Sequence, residues 1–106
     1  MANAYKTLGN ANPGAALTTI YTVPAATEAV AKFVAANRAS VVKTFRMAVS
    51  PAGAAIADDH YWFFDATIPA NDTVEVDGIA MATTDVVRVY GEDNNVSFNL
   101  NGVEIT

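Results

Sequence analysis

Residues 25–38, AATEAVAKFVAANR, decide between two architectures. By local propensity the stretch is a helix. Alanine is abundant, Thr27 can cap the start, and Val30, Phe33, Val34 and Asn37 recur at helical spacing. Its setting asks for the opposite. Strand-like segments lie on both sides and the chain has no other helical pattern, so a two-layer β architecture needs this stretch as a strand.

Working outward, turn chemistry falls at short, fairly regular intervals: GNANPG at residues 9–14, Pro24-Ala25, residues 37–40, residues 50–53, residues 69–72, Asp77-Gly78, and GEDNN at residues 91–95. The segments between are of strand length. Residues 96–101, VSFNLN, put apolar side chains at even positions and polar ones at odd positions, so one face is buried and one is wet. Residues 73–77, TVEVD, repeat the pattern, and residues 44–49, TFRMAV, do so with Arg46 outward. LTTIYTV (17–23) and TDVVRVY (84–90) are dense in β-branched and aromatic residues. Beyond Gly78 the apolar positions change parity, from Val74 and Val76 to Ile79 and Met81. A one-residue shift turns every side chain to the other face, so Asp77-Gly78 is either a tight hairpin turn or a β-bulge. The bulge is preferred, because the following segment has too few polar residues for a short exposed strand.

These segments predict an all-β chain of about eight strands, an antiparallel β-sandwich of jelly-roll or immunoglobulin-like type. At 106 residues it holds one domain, with residues 1–16 as an N-terminal arm and 17–106 as the sandwich. The arm is rich in Ala, Asn and Gly, lacks periodicity, and is expected to order only on docking.

Composition removes several function classes. Hydrophobic residues make up 52% and charged ones 16%, which fills a core but leaves little charge for the outside, so part of the surface is expected to be covered by other copies or a partner. The net charge is −5, and Lys6, Lys32, Arg38, Lys43, Arg46 and Arg88 are too scattered for the basic stripe that nucleic acid requires. Without cysteine there is no disulfide, thiolate metal site or thiol nucleophile. Residues 1–6 show no secretion signal and no apolar run approaches the roughly 18 residues that span a bilayer, so synthesis in a host cytoplasm without membrane insertion is expected.

The densest feature is HYWFFD at residues 60–65. At strand period His60, Trp62 and Phe64 face one way and Tyr61, Phe63 and Asp65 the other, so both faces carry large aromatics. They can belong to the core, to a subunit interface, where Trp and Tyr are favoured anchors, or to a sugar-binding platform. His60 is the only imidazole, and the adjacent Asp58 and Asp59 cannot converge with it on one reactant, so neither a catalytic residue, a cofactor nor a metal site is expected. The acidic loop Glu92, Asp93, Asn94, Asn95 lacks calcium-hand spacing and reads as a solvated turn.

Six stretches covering nearly the whole chain carry a resemblance: YKTLG (5–9), LTTIYTVPAATEAV (17–30), NR (37–38), TFRMAVSPAGAAIADDHYWFFDATIPANDT (44–73), ATTDVVRVYG (82–91) and NVSFNLNGVEIT (95–106). They resemble a family of small β-sandwich virion structural proteins of tailed bacteriophages. The family carries a stronger β-branched run where this chain has residues 29–36, which supports a strand there. It has a basic residue before the histidine where this chain has Asp58-Asp59, so the charge of that loop does not carry over.

The resemblance implies a component of the phage particle. Together with the apolar surplus it points to a head decoration or cement protein, a homotrimer that bridges capsomers of the major capsid protein and stabilises the shell. The expected contact residues are Tyr61, Trp62 and Phe63, with Tyr5, Lys6 and Leu8 in the arm. The alternative is a tail or baseplate module that recognises a host surface glycan through exposed aromatics.

Overall fold

The structure is a computed structural model that describes residues 3–106. Eight strands form: β1 (Asn3–Ala11), β2 (Thr18–Thr22), β3 (Glu28–Asn37), β4 (Lys43–Ser50), β5 (Tyr61–Ile68), β6 (Thr73–Met81), β7 (Val86–Gly91) and β8 (Val96–Ile105). Among the described residues there are two short 3-10 turns, at Pro51–Gly53 and Asp58–His60, and no helix long and apolar enough to cross a membrane. The chain is an antiparallel β-sandwich, as the segment pattern predicts.

One sheet has the order β1-β8-β3-β6 and the other β2-β7-β4-β5. Strand pairs β4·β5, β3·β6, β2·β7 and β1·β8 nest inside one another, as in a long hairpin whose tip is the β4–β5 connection. Rolled up so that β3 also meets β8 and β4 meets β7, the ribbon becomes a jelly roll. That settles the topology the segment pattern left open between jelly roll and immunoglobulin-like.

Residues 28–37 are a strand, not a helix. Ala29, Ala31, Phe33, Ala35 and Asn37 alternate inward and are buried, while Val30 is 40% exposed on the other face. The helical spacing therefore mixed residues of two faces. Alanines suit the inward positions because Phe33 takes up the space between the sheets: its ring lies 6.1 Å from Phe45, 6.2 Å from Phe63 and 5.8 Å from Phe98. Phe33 and Phe98 come from one sheet, Phe45 and Phe63 from the other, so this stack is the centre of the core. At the end of β3 the buried Asn37 amide donates to the carbonyls of Val41 (2.8 Å) and Ile68 (3.0 Å), tying the β3–β4 loop and the end of β5 together.

The parity change at Gly78 is a bulge. Phe33 pairs with Val76 and Ala31 with Ile79, so Asp77 and Gly78 together oppose Lys32. Gly78 takes φ +73°, which a side chain disfavours, and the shift lets Val76 and Ile79 both face the core. Bulges recur at every sheet edge. The register also slips beside Leu8 in β1, beside Ile20 in β2 and twice in β5, whereas the central pairs β3·β8 and β4·β7 run without a slip. Edges twisted in this way resist adding a further strand.

The N-terminal stretch expected to be an unordered arm is instead largely strand β1, hydrogen-bonded along β8; Met1 and Ala2 lie outside the described residues. None of its described side chains is fully buried, which is why no apolar period marks it. Gly9 presses on β2 so closely that a Cβ there would lie 2.0 Å from the Ile20 carbonyl oxygen.

Two substitutions test this account. Phe33→Ala is expected to lower the unfolding free energy by about 3–5 kcal/mol, and Gly78→Ala by about 1–2 kcal/mol, both read from urea denaturation. A Gly78→Ala protein as stable as the parent would mean the bulge carries no positive-φ constraint.

Candidate functional site: an aromatic patch on an edge strand

The β4–β5 connection folds back over the outer face of its own sheet. It covers Ala48 and Ser50, both 0% exposed although they do not face the other sheet. Arg88 holds it there, its guanidinium donating to Ser50 Oγ (2.5 Å) and to the Ala54 carbonyl (3.1 Å). At the end of the loop His60 Nδ1 accepts from the Ala57 N–H at 3.1 Å, which assigns the neutral-ring proton to Nε2, itself 3.7 Å from Asp59. His60 thus closes a turn.

Beyond the loop, β5 keeps the alternation its sequence predicts from Trp62 to Phe64 and departs from it at Tyr61 and Asp65, which join the outer face. Phe63 points inward, 5.0 Å from Phe45 in the core, while Trp62 and Phe64 are 48% and 57% exposed. The two bulges, with Asp65 at φ +51°, break the period, so the Tyr61 ring meets Phe64 edge to face, 5.0 Å apart at 87°. Arg46, from β4, lies against two rings, 4.2 Å from the Phe64 centroid and 4.8 Å from Tyr90 on β7. Asp65 grips it with two bonds, Nε to Oδ1 at 2.7 Å and Nη2 to Oδ2 at 3.3 Å. Those bonds hold the Asp65 carboxyl below the usual carboxylate range and raise the affinity of Arg46 for its proton. Three strands therefore fix the rings from below. Beside them a recess of about 320 Å³ is lined by Asp58, Tyr61 and Phe64.

The predicted contact residues separate into two groups. Tyr61 and Trp62 belong to the patch, while Phe63, expected to share that surface, supports it from the core side. Tyr5, Lys6 and Leu8 sit on β1, the edge strand that packs by β2, and β5 is the far edge of the second sheet, so the two groups do not converge. Tyr5 is 80% exposed and Leu8 leans on the core. Lys6 lies 2.7 Å from Glu104 Oε1, and the Tyr21 hydroxyl donates to Glu104 Oε2 at 2.5 Å, so a buried carboxylate joins β1, β8 and β2. Lys6, and after it Tyr21, hold the Glu104 carboxyl below its ordinary range; burial, then Glu104, pushes the Tyr21 phenol up.

Sequence reading missed Phe64, Tyr90 and Glu104 as participants. Outward alternation in VVRVY would have flagged Tyr90, but nothing local announces Glu104, whose partners are far along the chain. The acidic loop at residues 92–95 is closed on a lysine: Lys43 Nζ sits 2.7 Å from Asp93 and 3.5 Å from Glu92. Among the described residues no three acidic or imidazole groups gather as a metal site would need. Compared with protein-family models, curated proteins and solved structures, the chain matches none.

The Glu104 cluster predicts two limbs of pH dependence. A carboxyl whose folded pKa is depressed contributes stability above its unfolded value, near 4.3, and that contribution is lost as pH falls through the folded value. Glu104→Gln should therefore flatten the loss of stability below about pH 4.3. Tyr21, raised in the fold, contributes below its unfolded value near 10 and loses that as pH rises further, so Tyr21→Phe should flatten the alkaline limb. Urea midpoints across pH 2–11 read both; parallel curves for variant and parent would remove the cluster from the account.

Proposed function

We propose that the protein is a structural component of a bacteriophage virion, a head decoration protein that works as a homotrimer and stabilises the shell by bridging capsomers of the major capsid protein. The observation that carries this reading is the pair Trp62 and Phe64, large apolar rings left exposed on β5, with Phe64 braced by Arg46 and by the Tyr61 ring. Preordered rings lose little side-chain entropy on docking, and aromatic anchors of this kind dominate protein contacts. The fold supports it too. Jelly rolls recur in viral shells, and four bulged edges direct association to side-chain faces instead of strand addition.

The β5 patch can face the shell while Tyr5, at the opposite edge, remains free to meet a neighbouring copy.

A second reading, glycan recognition by a tail or baseplate module, draws on the same exposed Trp62, and jelly rolls also serve as lectins. Sugar stacking favours open ring faces, and at Phe64 Arg46 lies against the ring. That makes the patch better suited to a protein contact.

Electron cryomicroscopy of particles that incorporate the protein tests the proposal. Density is expected in clusters on the icosahedral shell with Trp62 covered, and Trp62→Ala should reduce occupancy at least several-fold. Density confined to the tail, with Trp62 facing solvent, would overturn the decoration reading in favour of adhesion.

A further inference from the structure

The recess beside the patch carries more specific chemistry than an apolar contact. Two of its walls are the rings of Tyr61 and Phe64, set at 87°, and the third is Asp58. Arg46 takes one face of Phe64, so a cation in this corner would lie against the Tyr61 ring and the remaining side of Phe64, within the roughly 6 Å reach of a ring quadrupole. A carboxylate at the same corner adds charge attraction. The outer face already holds one cation in this manner, since Arg46 stacks on Phe64 and Tyr90 and is neutralised by Asp65. Among the described residues no ion pair of this kind neutralises Asp58, and its neighbour Asp59 has only the His60 imidazole, 3.7 Å away.

The cation has to come from elsewhere. Lys6 is paired with Glu104, Lys32 with Glu75, Lys43 with Asp93 and Glu92, and Arg46 with Asp65. Arg38 donates to Ser97 and to the Asn94 carbonyl, and Arg88 to Ser50 and Ala54. All six basic side chains of the chain are thus engaged at home, and the net charge is −5. A second copy would bring its own acidic surplus to the recess and, among its described residues, no basic side chain without a partner of its own. We propose that the corner formed by Asp58, Tyr61 and Phe64 takes a lysine side chain of the partner protein, so that the surface opposite β5 is basic. This identifies the partner's chemistry at the patch and rests on the reading of that patch as the docking face.

The test uses the purified full chain and two small probes at matched ionic strength, N-acetyl-lysine methylamide and its uncharged counterpart N-acetyl-norleucine methylamide. Ring-proton NMR shifts of Tyr61 and Phe64 are followed to high probe concentration. The lysine probe is expected to shift them at least about threefold more than norleucine, the scale of one exposed charge contact with added ring attraction. That difference should shrink in 0.5 M salt and disappear in Asp58→Asn. Because Asp58 lies on an exposed loop, the variant should keep the parent's spectrum elsewhere, which separates loss of the site from loss of the fold. Equal shifts from both probes, or an Asp58→Asn protein that still prefers lysine, would overturn the proposal and leave a plain apolar recess. Particle density keeps the two readings apart. A neutral or acidic residue opposite the recess on a capsid shell sinks the lysine site alone, whereas a lysine-selective recess on a protein absent from the shell sinks decoration alone.

Discussion

The packing of Phe33 against Phe45, Phe63 and Phe98 is the contact on which the rest of the structure depends. With centroids 5.8–6.2 Å from Phe33, these rings come from four strands in two sheets. Their bulk sets what the neighbouring positions can hold, and on β3 those are alanines. Small residues beside a large ring let two sheets approach and still fill the interior at close-packed density. The same stack anchors the underside of β5 through Phe63, so the core and the surface patch share one strand.

Core and edge are built by different rules. The two pairings at the middle of the sandwich, β3·β8 and β4·β7, keep register along their length, and each of the four outer strands breaks it. A central strand that slipped by one residue would turn its core set to solvent, so its register is tightly specified. An outer strand has one free side and can accommodate an extra residue, gaining twist that discourages strand addition. On β5 this has a second effect. The bulges bring Tyr61 and Phe64 into ring contact and place Asp65 against Arg46, which a regular strand would not do. The candidate site is thus a by-product of how the edge is blunted.

Electrostatics follow the same division. Glu104, Lys6 and Tyr21 join three strands at one edge, Arg46 and Asp65 fix the rings at the other, and Lys43 closes the acidic loop. With the few basic residues committed to internal partners, the unbalanced charge of the surface is acidic. Such an imbalance would attract basic groups on a binding partner.

Much of the fold was legible from local pattern: alternation in VSFNLN and TVEVD, the parity change at Gly78, and the turn chemistry between segments each follow from what one strand needs of its own side chains. Residues 25–38 mark the limit of that legibility. Alanine and the spacing of Val30, Phe33, Val34 and Asn37 satisfy a helix locally, and only the hydrogen bonds offered by β6 and β8 on either side make the strand the better state. β1 was illegible for a related reason, since its order comes from β8 and from Glu104 and not from an apolar period of its own. In HYWFFD the sequence determined that too many aromatics were present for one buried face. Which rings went inside was decided by tertiary structure, because bulges are set by the pairing of two strands and no single strand encodes its neighbour's register.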